Sequence, residues 1–232
     1  MSDVNPSDIL QPMPVRFDIL PGLPAYGPPA ISFPESDLPT FREGLVVRFH
    51  PAPSDAGGDP WVGNFLGGQT SYDRVLAHPN GADVIVVARG HGSVVDVART
   101  SVTASLCDVT QLIPLDALGL VLVERLTDFI AIGADGMRWQ SPRISWDGFR
   151  SVSISADQLR GEAYSAPDEE WVPFTLDLAT GACRDGIFAQ DIARAVEVTP
   201  NAAPSRRRRH ACSASGVIAR FCRMIRAWLP SK

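Results

Sequence analysis

Lysine is almost absent from this 232-residue chain: Lys232 is the only one, so nearly every positive charge is a guanidinium. Long apolar runs are also missing. No stretch of about 18 apolar residues occurs, which argues against a membrane-spanning helix. The first residues, MSDVNPSDIL, have neither a basic stretch nor an apolar one, so no secretory signal is expected and the expected location is cytoplasmic. Cysteine is scarce. Cys107, Cys183, Cys212 and Cys222 are too few and too scattered for a disulfide framework or a closed zinc site. What remains is ample for a folded domain: 45% of the residues are hydrophobic and 20% charged.

The charge is split along the chain. Residues 1–201 carry 13 arginines and 26 acids, a net of −13, whereas residues 202–232 carry seven arginines, one lysine and no acid, a net of +8. Such a segment is suited to an anionic surface or to its own acidic body.

Residues 1–40 contain nine prolines. Each fixes φ and removes a backbone donor, so this is read as an extended arm, without helix or central strand. Val15, Phe17, Ile19, Leu20 and Leu23 suggest that part of it packs. Residues 41–184 then show short apolar runs of period two or less, separated by turn residues, and are read as about a dozen strands. Asn80-Gly81 and Asp135-Gly136 suit type I′ hairpin turns. The fold class is mainly β: an antiparallel β-meander, arranged as a sandwich, a barrel or a partial propeller. Residues 130–140 (IAIGADGMRWQ) echo 152–162 (VSISADQLRGE) at an offset of 22, and 83–87 echo 128–132 at 45, a spacing of blade size. Residues 185–200 are expected to hold a short helix, with Ile187, Phe188, Ile192 and Val196 on one face. After a polar, basic linker, residues 216–229 place Phe221, Ile225, Trp228 and Leu229 on an amphipathic helical stripe.

Catalytic signatures are weak. His50, His78 and His91 lie near strand ends, but no HxH, HExxH or CxxC spacing enforces a metal site, and none is expected. No GxSxG elbow presents a serine; Ser93, two residues from His91, is read as part of a turn. Asp147 with Glu162, or Asp168, Glu169 and Glu170, are the carboxylates a glycosidase would need, but Asp147-Gly148 reads more simply as a turn and 167–170 as a solvated loop. Gly57-Gly58 and Gly67-Gly68 lack the order of a phosphate loop, and no cofactor is expected. Trp61, Trp139, Trp146 and Trp171 are the candidate ligand-binding group, since flat aromatic faces near loops stack on sugars or peptides. The same rings also serve as core filling. Arg206, Arg207, Arg208 and Arg209, with Arg220, Arg223 and Arg226, are the candidate contacts to an anionic surface. The arginine run lacks interleaved aromatics, which argues against nucleic acid.

The stretches FREGLVVRFHP (41–51), DPWVGNFLGG (59–68), VLAHPNG (75–81) and GADGMRWQSPRISWDGF (133–149) resemble small bacterial β proteins without an assigned activity. The resemblance covers residues 41–184 and implies no site. The reading of the whole is a non-enzymatic binding or interaction module. Its expected partner is a protein or an anionic membrane surface met through the tail, and oligomerisation is left open. The alternative is a hydrolase acting on a carbohydrate or other polar substrate in a loop-lined cleft.

Overall fold

The computed structural model describes residues 15–34, 42–51 and 58–188. The chain divides into a unit of residues 1–201 and a second of 202–232. The second unit lies wholly outside the described residues, and so do the expected helices of 187–197 and 216–229 beyond residue 188.

Among the described residues there are 15 strands and no α-helix. Sheet A joins β1 (Arg16–Leu20), β3 (Leu45–His50), β4 (Trp61–Phe65) and β2 (Ile31–Phe33), in that order. Sheet B is a meander of β5 (Arg74–Ala77), β6 (Asp83–Ala88), β7 (His91–Asp96) and β8 (Ser101–Leu106). Sheet C is a second meander of β9 (Val109–Leu115), β10 (Leu120–Arg125), β11 (Phe129–Gly133) and β12 (Gly136–Gln140). Sheet D holds β13 (Phe149–Ser155), β14 (Gln158–Ser165) and β15 (Glu170–Asp177). All pairings are antiparallel except that of β2 with β4. The strand order of each sheet is linear, so none closes into a barrel.

The sheets are held face to face in chain order by three apolar clusters. Val47, Phe49 and Phe65 of sheet A meet Val84, Val86 and Val95 of sheet B. Ile85, Val87 and Val94 of sheet B meet Val121, Val123, Ile130 and Ile132 of sheet C. Leu122, Phe129 and Ala131 of sheet C meet Leu159, Ala163, Phe174 and Leu176 of sheet D. Side chains of a strand alternate between the two faces of its sheet. Sheets B and C are buried on both faces, so β6 (DVIVVA) and β11 (FIAIG) read as unbroken apolar runs.

The proline-rich arm is not outside the sheets: β1 and β2 form the two edges of sheet A. Edge strands tolerate nearby proline because one row of their N–H groups has no ladder partner to satisfy. Strand β8 (SVTASL) was not expected, since its exposed serines and threonine give no apolar alternation.

The turns differ in type from the expectation. The type I′ signature, two successive positive φ values, falls at Arg89 (+43°) and Gly90 (+80°), between β6 and β7. At Asn80-Gly81 the loop spans five residues, and the Gly81 N–H donates to the carbonyl of His78 at 2.9 Å. Only Gly81 of that pair is left-handed, with φ +73°. Between β11 and β12 the loop residues are Ala134 and Asp135, and Gly136 follows at φ +102°, paired with Gly133. The register shift of these strands comes further on, where Arg138 is the extra residue between the Ile132–Met137 and Ala131–Trp139 pairs. A positive φ at Gly136 favours glycine. A side chain at Gly136 would meet no atom within 4 Å, so a substitution there costs only backbone strain. Gly136→Val is expected to lower stability by about 1 kcal/mol or more, read from a denaturant midpoint.

Both members of the 22-residue echo are hairpins, with Ala134-Asp135 and Ala156-Asp157 at their turns. They occupy different places, being strands three and four of sheet C and strands one and two of sheet D. The 45-residue echo likewise pairs β6, second in its sheet, with β11, third in its own.

Candidate functional site

The four tryptophans fall into two kinds. Trp61 points inward from β4: its ring lies 4.4 Å from that of Phe49, and its Nε1–H donates to the Val97 carbonyl at 3.0 Å. Trp139 on β12 packs against the cluster between sheets C and D and donates Nε1–H to the Leu178 carbonyl at 2.9 Å. These two staple the core, each with its one polar atom satisfied.

Trp146 and Trp171 stay accessible. Trp146 is 39% exposed. The guanidinium of Arg143 lies 4.5 Å above its ring, and Phe188 stands 5.8 Å away. Trp171 on β15 is half-buried beside Tyr164, its partner on β14, with ring centroids 5.2 Å apart. Arg150 covers the Trp171 ring at 4.5 Å and also donates to Glu162 at 2.8 Å. Tyr164 links the two sites, because the Trp146 N–H donates to its carbonyl at 2.9 Å. Among the described residues no tryptophan ring meets another, so the four do not form one platform.

The loop that presents Trp146 is fixed by serines. Ser145 is fully buried and donates its hydroxyl to the Gly148 carbonyl at 2.6 Å. The same oxygen accepts from the N–H groups of Asp147 (3.2 Å) and Tyr164 (3.1 Å). The N–H of Ile144 donates to Thr127, in the β10–β11 turn, at 2.9 Å. The segment 141–148 thus laces sheet C to sheet D.

The histidines lie in three separate settings. His50 contacts Asp18 at 2.8 Å. Burial pushes the His91 imidazole below its usual pKa, which favours the neutral ring. His78 is buried at the β5–β6 loop, and its Nδ1 accepts the Asn80 N–H at 3.2 Å. Among the described residues no three His, Cys, Asp or Glu side chains gather as a metal site would need.

The carboxylates have local partners. Hydrogen bonding from Arg150 holds Glu162 below the usual carboxylate range. Asp168 accepts the Ser165 hydroxyl at 2.6 Å. Hydrogen bonds from Thr180, first its hydroxyl and then its N–H, lower the pKa of Asp177, which shapes the turn after β15. Burial raises the Cys183 thiol, disfavouring a reactive thiolate.

Glu124 is different. It is buried in β10, and burial raises its pKa against the opposing hydrogen bond from Thr110, 2.7 Å long. A raised carboxylate favours the protonated form in the folded state. Its stabilising share is present below the ordinary glutamate pKa and is lost as pH rises through the raised value. Glu124→Gln is therefore expected to flatten this part of the pH profile. The variant should gain stability relative to the parent as pH rises above the ordinary glutamate range, measured as urea midpoints. A constant offset with rising pH would count against the raised value.

An open cleft of about 450 Å³ lies between the end of β5 and the β9–β10 turn. His78, Asp116, Leu76, Pro79, Pro114 and Leu120 line it. None of the four tryptophans does. Its two walls are some 40 residues apart in sequence, so no local motif announces it. The arginines at 206–209, 220, 223 and 226 lie outside the described residues. Among the described residues no helix is long and apolar enough to cross a membrane. The chain matches no protein-family model, and no curated protein matches it.

Proposed function

We propose that this chain is a non-enzymatic binding module whose C-terminal segment contacts an anionic membrane surface from the cytoplasmic side. The observation that carries the reading is the charge split, +8 over residues 202–232 against −13 over 1–201. Basic residues near an anionic leaflet contribute about 1 kcal/mol each. In the proposed state residues 216–229 form an amphipathic helix in the interface. Phe221, Ile225, Trp228 and Leu229 enter the acyl boundary, and Arg220, Arg223 and Arg226 meet lipid phosphates. Burying each large apolar side chain adds roughly 1.5–3 kcal/mol. Fourteen residues are too short to span a bilayer.

The β unit supplies the binding surface in this reading. Trp146 and Trp171 are the accessible rings, and each already carries a guanidinium on its face. A test compares flotation of the full chain with vesicles of phosphatidylcholine alone and with vesicles also containing phosphatidylserine. Binding only to the anionic vesicles, weakened by replacing Arg206, Arg207, Arg208 and Arg209 with glutamine, is the expected outcome. Equal recovery with both lipids would remove the electrostatic basis of the proposal.

A further inference from the structure

We propose that the cleft between β5 and the β9–β10 turn binds a small uncharged ligand with an apolar body and a carboxamide head. The carrying observation is His78, whose side chain is mostly enclosed at 5% residue exposure. Its Nδ1 accepts the Asn80 N–H, so in the neutral ring Nε2 bears the proton and is a donor. Nε2 has no hydrogen-bond partner among the described residues. His78 is one of the residues that line the cleft, and the Nε2–H is the ring donor it has to offer there.

The rest of the lining selects the ligand. Leu76, Pro79, Pro114, Leu120 and Val121 give apolar walls, and prolines hold their shape at low entropic cost. Asp116 is the second polar group, an exposed acceptor. A carboxamide offers a carbonyl to the Nε2–H and an N–H to the carboxylate. A carboxylate ligand would face Asp116 as a like charge. The volume, about 450 Å³, falls within the range of small-molecule sites.

The test uses the full chain and benzamide, with benzoate as the charged comparison, followed by amide chemical shifts in ¹H–¹⁵N spectra. Saturable shifts with benzamide are expected at residues 76–79 and 114–121, with benzoate weaker by about tenfold. Asp116→Asn should narrow that gap. Ala77 lines the cleft from an exposed position on β5, an edge strand, so Ala77→Trp fills the space without disturbing the core. It should weaken benzamide by about tenfold or more while leaving the spectrum of sheet D unchanged. Absence of saturation, shifts centred elsewhere, or binding indifferent to Ala77→Trp would each overturn the assignment.

Discussion

Replacing Asp128 with alanine is expected to lower the unfolding free energy by about 3–5 kcal/mol, the cost of stranding one member of a buried ion pair. Asp128 sits at the β10–β11 turn with its side chain 9% exposed, and that of Arg125 is 22% exposed. The guanidinium donates twice, Nε to Oδ1 at 2.6 Å and Nη2 to Oδ2 at 2.5 Å. Gln140 on β12 adds a third donor at 3.0 Å, and the Arg125 N–H donates to the Asp128 carbonyl at 2.9 Å. Alanine removes all three side-chain acceptor contacts and leaves a mostly buried guanidinium without its counter-charge. Asp128→Asn keeps an acceptor for Gln140 or Arg125 and should fall between the two. An alanine variant within about 1 kcal/mol of the parent would mean that water reaches Arg125 freely.

Phe174→Ala is expected to cost a similar amount, about 3–5 kcal/mol, for a different reason. Phe174 lies on β15, 2% exposed, with its ring 5.8 Å from Phe129 of sheet C and 5.2 Å from Phe149 of sheet D. It is one of the side chains that join the last two sheets. Gly161 on the neighbouring strand makes its room: a Cβ there would come within 2.9 Å of the ring. Truncation removes the transferred area and leaves a cavity that strands on both sides cannot close. Domains of this size have about 5–15 kcal/mol of stability in all, so the variant should show a large drop in urea midpoint. A drop below about 1 kcal/mol would contradict the packing of sheet C on sheet D.

These two residues also show what was legible in the sequence. Apolar runs such as DVIVVA and FIAIG reveal strands because a strand buried on both faces has no polar alternates, and twelve strands follow from such patterns and their turn residues. The strands that escaped, β1, β2 and β8, are all edges. β1 and β2 are short and lie among prolines, and β8 is polar, so none of the three shows an apolar period, whereas edge strands such as β9 and β15 do. Turn positions were readable from glycine, but turn types were not, because the type depends on the register of the flanking strands.

Buried polar hubs were invisible for a related reason. Asn64 accepts the Gly44 N–H at 2.8 Å and donates to Ser32 and to the Arg42 carbonyl, all about 20 or more residues away. Ser145 reads locally as a loop residue and Asp128 as the polar first residue of a strand. Among the candidate ligand residues, aromatic composition did not separate Trp61 and Trp139, which bond inward, from Trp146 and Trp171, which face outward under arginines. That difference is set by which face of which sheet each ring occupies. The cleft at His78 needed two sheets to be brought together before it existed.

The membrane reading rests on the charge of residues 202–232. The most direct measurement is co-sedimentation with phosphatidylserine-containing vesicles, comparing the full chain with residues 1–201, a compact unit, at low and at high salt. The full chain is expected to pellet at low salt, to release partly at high salt, and to retain the share contributed by its apolar stripe. The shorter chain is expected to stay in solution at both. Equal and negligible pelleting by both chains would contradict the account.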